Sequence, residues 1–224
     1  MSENTASIAT VDPWWKRHVE LIVVILLGVV SVATAYTSFQ SSLYGGQSDD
    51  KMSQSEAAGT SAESLYLEAN QQYVSDGQTI QQLSMLQVAV DAGDQIAQAQ
   101  YDQLYFVAVS EELDAAIQAA AAQDEAEPEF WHNPQSDEAY QAALFGGYAE
   151  EQARSEALRV EADALGLQGD TLGLYTPLMA ITLFLLGVAA VVRRPMTQWM
   201  LIITGTAIFL VTAVLTAMIP FVWL

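Results

Sequence analysis

The stretch LIVVILLGVVSVATAY, residues 21 to 36, decides the fold. It carries no charge, and it lengthens to Phe39 if Thr34, Thr37 and Ser38 turn their hydroxyls onto carbonyls one helical turn back. That brings it close to the roughly 20 residues a helix needs to cross a hydrocarbon core of about 30 Å. Two further stretches, Leu172 to Val192 and Trp199 to Val222, have the same character. Backbone N–H and C=O groups in lipid must pair within their own segment, so all three are predicted to be helices. The chain divides accordingly into a cytoplasmic tail (1–18), a first span (19–39), a polar segment (40–171), a second span (172–192), a cytoplasmic turn (193–198), a third span (199–222) and an outer C-terminus (223–224).

Basic residues orient this arrangement. Lys16 and Arg17 precede the first span, and Arg193 and Arg194 separate the second from the third. Such clusters stay on the cytoplasmic side, which sends residues 40–171 outside. Trp14, Trp15, Trp199 and Trp223 lie near span ends, where amphipathic rings favour the headgroup level. A competing reading takes Ala33-Thr34-Ala35 as a signal-peptidase site with a cut after Ala35. The long stretch before the apolar core, its two tryptophans and the continued apolar face at Tyr36 and Phe39 favour a retained anchor.

Net charge is confined to one part of the chain. Residues 40–171 hold 24 Asp and Glu against Lys51, Arg154 and Arg159, while the remainder is close to neutral. This disfavours nucleic acid and anionic headgroups, which need basic patches, and suits cations, basic partners, a salt-rich habitat or plain solubility. Cysteine is absent, which excludes disulfides and thiolate metal sites.

The acidic segment reads as helical because Ala, Gln, Glu and Leu dominate it and its prolines are only Pro128 and Pro134. A first helix, 53–90, carries a stripe through Tyr66, Ala69, Tyr73, Ile80, Leu83 and Val90, a heptad-like seam with polar lapses at Asp76 and Gln87. Asp91-Ala92-Gly93-Asp94 is a turn. A second helix spans 94–123, a loop 125–137, and a third helix 136–167 bears Tyr140, Leu144, Gly147, Leu158, Ala162 and Leu165. Glu150 with Arg154, and Arg159 with Asp163, read as exposed i,i+4 pairs. The predicted fold is therefore all-α: three transmembrane helices plus an elongated extracytoplasmic helical bundle inserted between spans one and two, its seams closing within one chain or between chains.

Glycines mark two junctions. Gly45-Gly46 is expected to break the helix just after the first span, at a cost of about 1 kcal/mol per Gly relative to Ala. Gly166, Gly169 and Gly173 stand before the second span as hinges, or, at the spacing of the last two, as a place of close helix contact. Pro195 suits the first turn of the third span.

The order of Trp14-Trp15, Tyr36-x-x-Phe39-Gln40, Tyr44-Gly45-Gly46-Gln47, a Trp131 loop with Pro134, Tyr140 opening a helix and Leu183-Phe184 resembles a family of uncharacterised prokaryotic three-span membrane proteins with a helical ectodomain. The resemblance covers most of the chain by order and spacing. It implies the same architecture and carries over no functional residue.

Enzyme signatures are missing: His18 and His132 are the only histidines, and no phosphate loop, paired-His metal spacing or dinucleotide fingerprint occurs. The expectation is a non-enzyme without cofactor. Glu127, Glu129, Phe130, Trp131 and His132 form the best local candidate, a loop able to hold a hard cation or anchor a partner; against it stands the reading that Phe130 and Trp131 tuck into the bundle end. No ionisable residue lies deep in the spans, which speaks against proton or ion coupling by one subunit. Thr204, Thr206, Thr212 and Thr216 with Ala213-x-x-x-Ala217 read as packing contacts, or as a pore lining if several copies assemble. Two functions follow. The first is an integral protein of the cell membrane whose outer bundle mediates self-association or docking to an envelope protein. The second is a homo-oligomeric, cation-preferring channel with an acidic vestibule.

Overall fold

A computed structural model describes the backbone of residues 14–223 and the side chains of residues 18–223. Every regular element among them is helical: α1 (Trp14–Asp91), α2 (Gln95–Ala108), α3 (Glu111–Ala126), a 3-10 turn (Pro134–Ser136), α4 (Glu138–Val191) and α5 (Pro195–Ala217). Three of these helices are long and apolar enough to cross a membrane, and the chain is a multi-pass membrane protein on that ground. Two compact units form: unit 1 takes the chain up to Lys51 and again from Glu161, and unit 2 is Met52–Val160.

In unit 1 the apolar parts of α1, α4 and α5 pack side by side. Val19 and Val23 meet Ala189 and Ile202, and Val30 meets Met179 and Leu186 with Phe209 alongside. The start of α1 and the Arg193-Arg194 turn thus share one end of the unit. Leu21, Val24, Val32, Phe184, Ile203 and Leu210 point away from this seam and are exposed, as side chains facing lipid would be.

Hydroxyls join the polar end of the same unit. Ser41 Oγ donates to Gly169 O and Ser48 Oγ to Ala162 O, each at 2.8 Å. Gly169 makes this approach possible, because a Cβ there would meet Gly45 N and Ser41 O at 3.3 Å and Tyr44 Cβ at 3.2 Å. Of the two roles expected for Gly169, close helix contact is the one observed. The expected break is absent: α1 runs unbroken through Gly45 and Gly46, and α4 through Gly166, Gly169 and Gly173. The propensity cost of about 1 kcal/mol per Gly is small beside the helix packing that backs these positions.

The third span ends sooner than expected. Helix α5 stops at Ala217, and residues 218–223 leave the helix to lie against α1. The Gln40 side-chain amide pairs with both backbone groups of Val222, accepting from its N–H at 3.1 Å and donating to its C=O at 3.2 Å. Tyr44 Oη donates to Pro220 O at 2.7 Å, and Phe221 stacks on Tyr36. Pro220 O and both backbone groups of Val222 thereby find partners on α1 without a helix.

Unit 2 is built by the remainder of α1 and α4 with α2 and α3. Ser55 and Ser155 bond reciprocally through hydroxyl and carbonyl at 2.8 Å. Further along, Leu113, Ala116 and Tyr140 form a buried cluster with Tyr73, Ile80 and Leu144 around it. The polar lapse at Asp76 is resolved here: the residue is buried, its carboxylate accepting from Tyr140 Oη at 2.7 Å and from Gln72 Nε2 at 2.7 Å. Helix α1 ends at the predicted turn, where Gly93 takes φ +89° while Gly93 N bonds Val90 O and Asp94 N bonds Ala89 O. That pair of bonds is a Schellman cap, and Asp94 then caps α2 through the amides of Ile96 and Ala97.

The single helix expected over 94–123 is two helices. Val109 and Ser110 are extended, and Ser110 Oγ accepts from Leu113 N to start α3, whose first turn holds Glu111, Glu112 and Asp114. An N-cap serine followed by acids matches the positive end of the helix dipole. Asp137 caps α4 in the same way, through Tyr140 N at 2.9 Å.

Candidate functional site

A cleft of about 290 Å³ opens in unit 2 between α1, α2, α3 and the loop after α3. Ile80, Leu83, Gln87 and Val88 of α1 line it, with Tyr101 of α2, Ile117, Ala120, Ala121 and Asp124 of α3, and Trp131, His132 and Pro134. The helical spacing of Ile80, Leu83 and Gln87 sets these side chains along one face. Gln87, the second polar lapse of the seam, lies at the cleft rather than in a closed interface and donates to Asp91 Oδ1 at 2.9 Å.

One hydrogen-bonded pair holds the loop over this cleft. Asp124 Oδ1 accepts from His132 N at 2.8 Å and faces His132 Nδ1 at 2.7 Å. Hydrogen bonds from the His132 side chain and backbone hold the Asp124 carboxyl below the usual carboxylate range. Nδ1 is then the protonated ring nitrogen, and Nε2 is turned toward Glu127 Oε2 at 4.0 Å. The reading in which Phe130 and Trp131 tuck into the bundle end is not met: their exposures are 65% and 69%.

Glu127 and Glu129 are exposed beside them. Among the described residues no three His, Asp or Glu side chains converge as a metal ion would need. On the other side of the cleft, Tyr101 stacks on Tyr105, whose hydroxyl bonds Asp114 Oδ1. Burial, then the Asp114 hydrogen bond, pushes the Tyr105 phenol up to about 12. Burial, followed by the Asp102 charge, raises Tyr101 as well, so both rings stay neutral phenols at ordinary pH.

Other predicted residues lie apart from this place. Gly45, Gly46, Gly166, Gly169 and Gly173 belong to unit 1, and Arg193 and Arg194 are exposed in its turn. The Lys16 and Arg17 side chains lie outside the described residues. Arg154 pairs with Glu151 at 3.5 Å, in place of the expected Glu150, because an i,i+3 partner is also within reach on a helix. Lys51 pairs with Glu161 at 2.6 Å. Sequence reading missed Tyr101 and Ile117 as cleft walls and Gln40 and Tyr44 as receivers of residues 220–222. The signal for the first pair was Gln87, the second polar lapse of the stripe. Set against protein-family models, characterised proteins and solved structures, the chain matches none.

Proposed function

We propose that the chain is a non-enzymatic membrane-anchored subunit whose unit 2 stands outside the cytoplasm as an acidic helical bundle inserted between spans one and two, and self-associates or docks onto an envelope protein. The observation that carries this reading is the apolar surface of α2: Phe106 is 89% exposed, Val107 75% and Ile96 71%, on a unit otherwise rich in carboxylates. Ile96 and Val107 are about three turns apart and so share a face. Large apolar groups kept in water beside many acids are the usual mark of a contact surface. Orientation rests on Arg193 and Arg194, exposed at the end of unit 1 where α1 starts, a pattern expected on the cytoplasmic side. The resemblance to uncharacterised prokaryotic three-span proteins accords with this architecture and adds no activity to it.

The channel reading draws less support. Thr212 and Thr216 are buried within unit 1, and Thr212 spends its hydroxyl on Ile208 O, so half of the threonine face is not offered to other copies. Native mass measurement in mild detergent tests the proposal. The wild-type chain is expected as an oligomer or with a stoichiometric companion, and Phe106→Glu with Val107→Glu is expected to release a monomer of unchanged helicity. A monomer without companion in the wild type would overturn it.

A further inference from the structure

We propose that the cleft of unit 2 is a binding site for a small hydrophobic organic cation, an aryl- or alkyl-ammonium compound. This goes beyond the docking reading and holds whether or not a protein partner exists.

The size of the cleft, about 290 Å³, suits a compact organic molecule rather than a folded segment. Its walls supply the two things such a cation needs. Ile80, Leu83 and Ile117 present aliphatic surface for an apolar body, and Tyr101 and Trp131, which also line the cleft, supply ring faces for a charged head. Asp124 supplies the counter-charge. Its Oδ1 is taken by His132, while Oδ2 has no hydrogen-bond partner among the described residues. The same two bonds from His132 keep the carboxyl ionised, so the negative charge is present at neutral pH.

Charge selects against the alternatives. Unit 2 carries 19 Asp and Glu against Arg154 and Arg159, and neither arginine lines the cleft. An anionic ligand meets repulsion from that field, and a neutral one forgoes both the carboxylate and the ring faces. A bare metal ion finds too few converging ligands among the described residues.

The test uses the full chain in discs of zwitterionic lipid and two probes of similar shape, benzyltrimethylammonium and the uncharged alcohol 2,2-dimethyl-3-phenylpropanol. Calorimetric titration is expected to give an ammonium affinity about tenfold above that of the alcohol, the sum of one cation–π contact and one partly exposed ion pair. Asp124→Asn is expected to lower ammonium affinity about threefold, the share of the ion pair, leaving a smaller preference over the alcohol from the ring faces while alcohol affinity is unchanged. Ala121→Phe, which fills the cleft and leaves every charge in place, is expected to abolish both.

Equal affinity for the two probes in the wild type overturns the proposal, as does absence of ammonium binding. If Asp124→Asn also loses the alcohol, the cleft itself has opened and Ala121→Phe decides. Ammonium binding that survives Ala121→Phe lies elsewhere and overturns the assignment, whereas loss with an unchanged melt supports it. Oligomer mass plays no part in these readouts, so failure here and failure of the docking reading are told apart.

Discussion

Tyr140 and Asp76 show how one buried polar pair is kept in an apolar seam. The Asp76 side chain is shielded from water, and its carboxylate has the Tyr140 hydroxyl and the Gln72 amide as partners. Tyr140→Phe removes one donor and leaves the buried acceptor short, at a cost of about 1–3 kcal/mol. A lowered melting temperature in a thermal melt followed by helix signal checks this, with Gln72→Ala the milder comparison. Alkaline pH acts on the neighbouring phenols. Tyr105 is raised from 10.0 to about 12, chiefly by burial, so the folded state binds its proton more tightly than the unfolded state. Its contribution is fully present below pH 10 and is lost as pH rises from 10 to about 12. A stability curve across that window is expected to fall, and to fall less steeply in Tyr105→Phe. The sequence marked Asp76 as an anomaly of the stripe, yet its partner lies 64 residues away and no local pattern names it.

Helices were read from composition more reliably than their ends. The turn at Gly93 was legible because Gly at the position after a periodic run has one strong use, a left-handed cap. The break at Val109-Ser110 was not, since Ser110 lies within a good helix former's context and only the acids after it hint at a start. Glycine misled in the opposite sense. Propensity alone suggested breaks at Gly45-Gly46 and in the 166–173 region, whereas long helices pass through both. The two sites differ in what surrounds them, and substitution separates them. A Cβ at Gly45 meets nothing within 4 Å, so Gly45→Ala is expected to stabilise α1 by about 0.5–1 kcal/mol. At Gly169 the nearest atoms are Tyr44 Cβ and the α1 backbone at Gly45 and Ser41, which cannot step aside, so Gly169→Val is expected to lower the melting temperature of the detergent-solubilised protein markedly. Opposite signs at the two positions check the assignment.

At the scale of the molecule, the three apolar helices were legible because lipid permits few solutions for a chain of that hydropathy. The acidity of residues 40–171 was equally plain, but the cleft was not, because it needs Ile80, Tyr101, Ile117 and Trp131 from four separate segments. The proposed orientation has a direct check, since the chain lacks cysteine. Ser75 is exposed in unit 2 and Met196 is exposed beside the arginine turn. Ser75→Cys is expected to react with an impermeant maleimide on intact cells, and Met196→Cys only after permeabilisation; the reverse pattern would refute the topology.

The serines that join α1 to α4 in unit 1 stand seven residues apart, at 41 and 48, and their acceptors stand seven apart as well, at 169 and 162. A slide of one helix along the other by about two turns would therefore bring one of the two hydroxyls onto the other's acceptor, and these bonds by themselves set a scale with repeating graduations. Among the described glycines Gly169 alone faces backbone of the other rod within 4 Å, and it works as the vernier mark that selects one reading from the scale. A second Gly placed at Ala162 would blur that mark, yielding a chain that still forms every rod but settles at two alternative offsets.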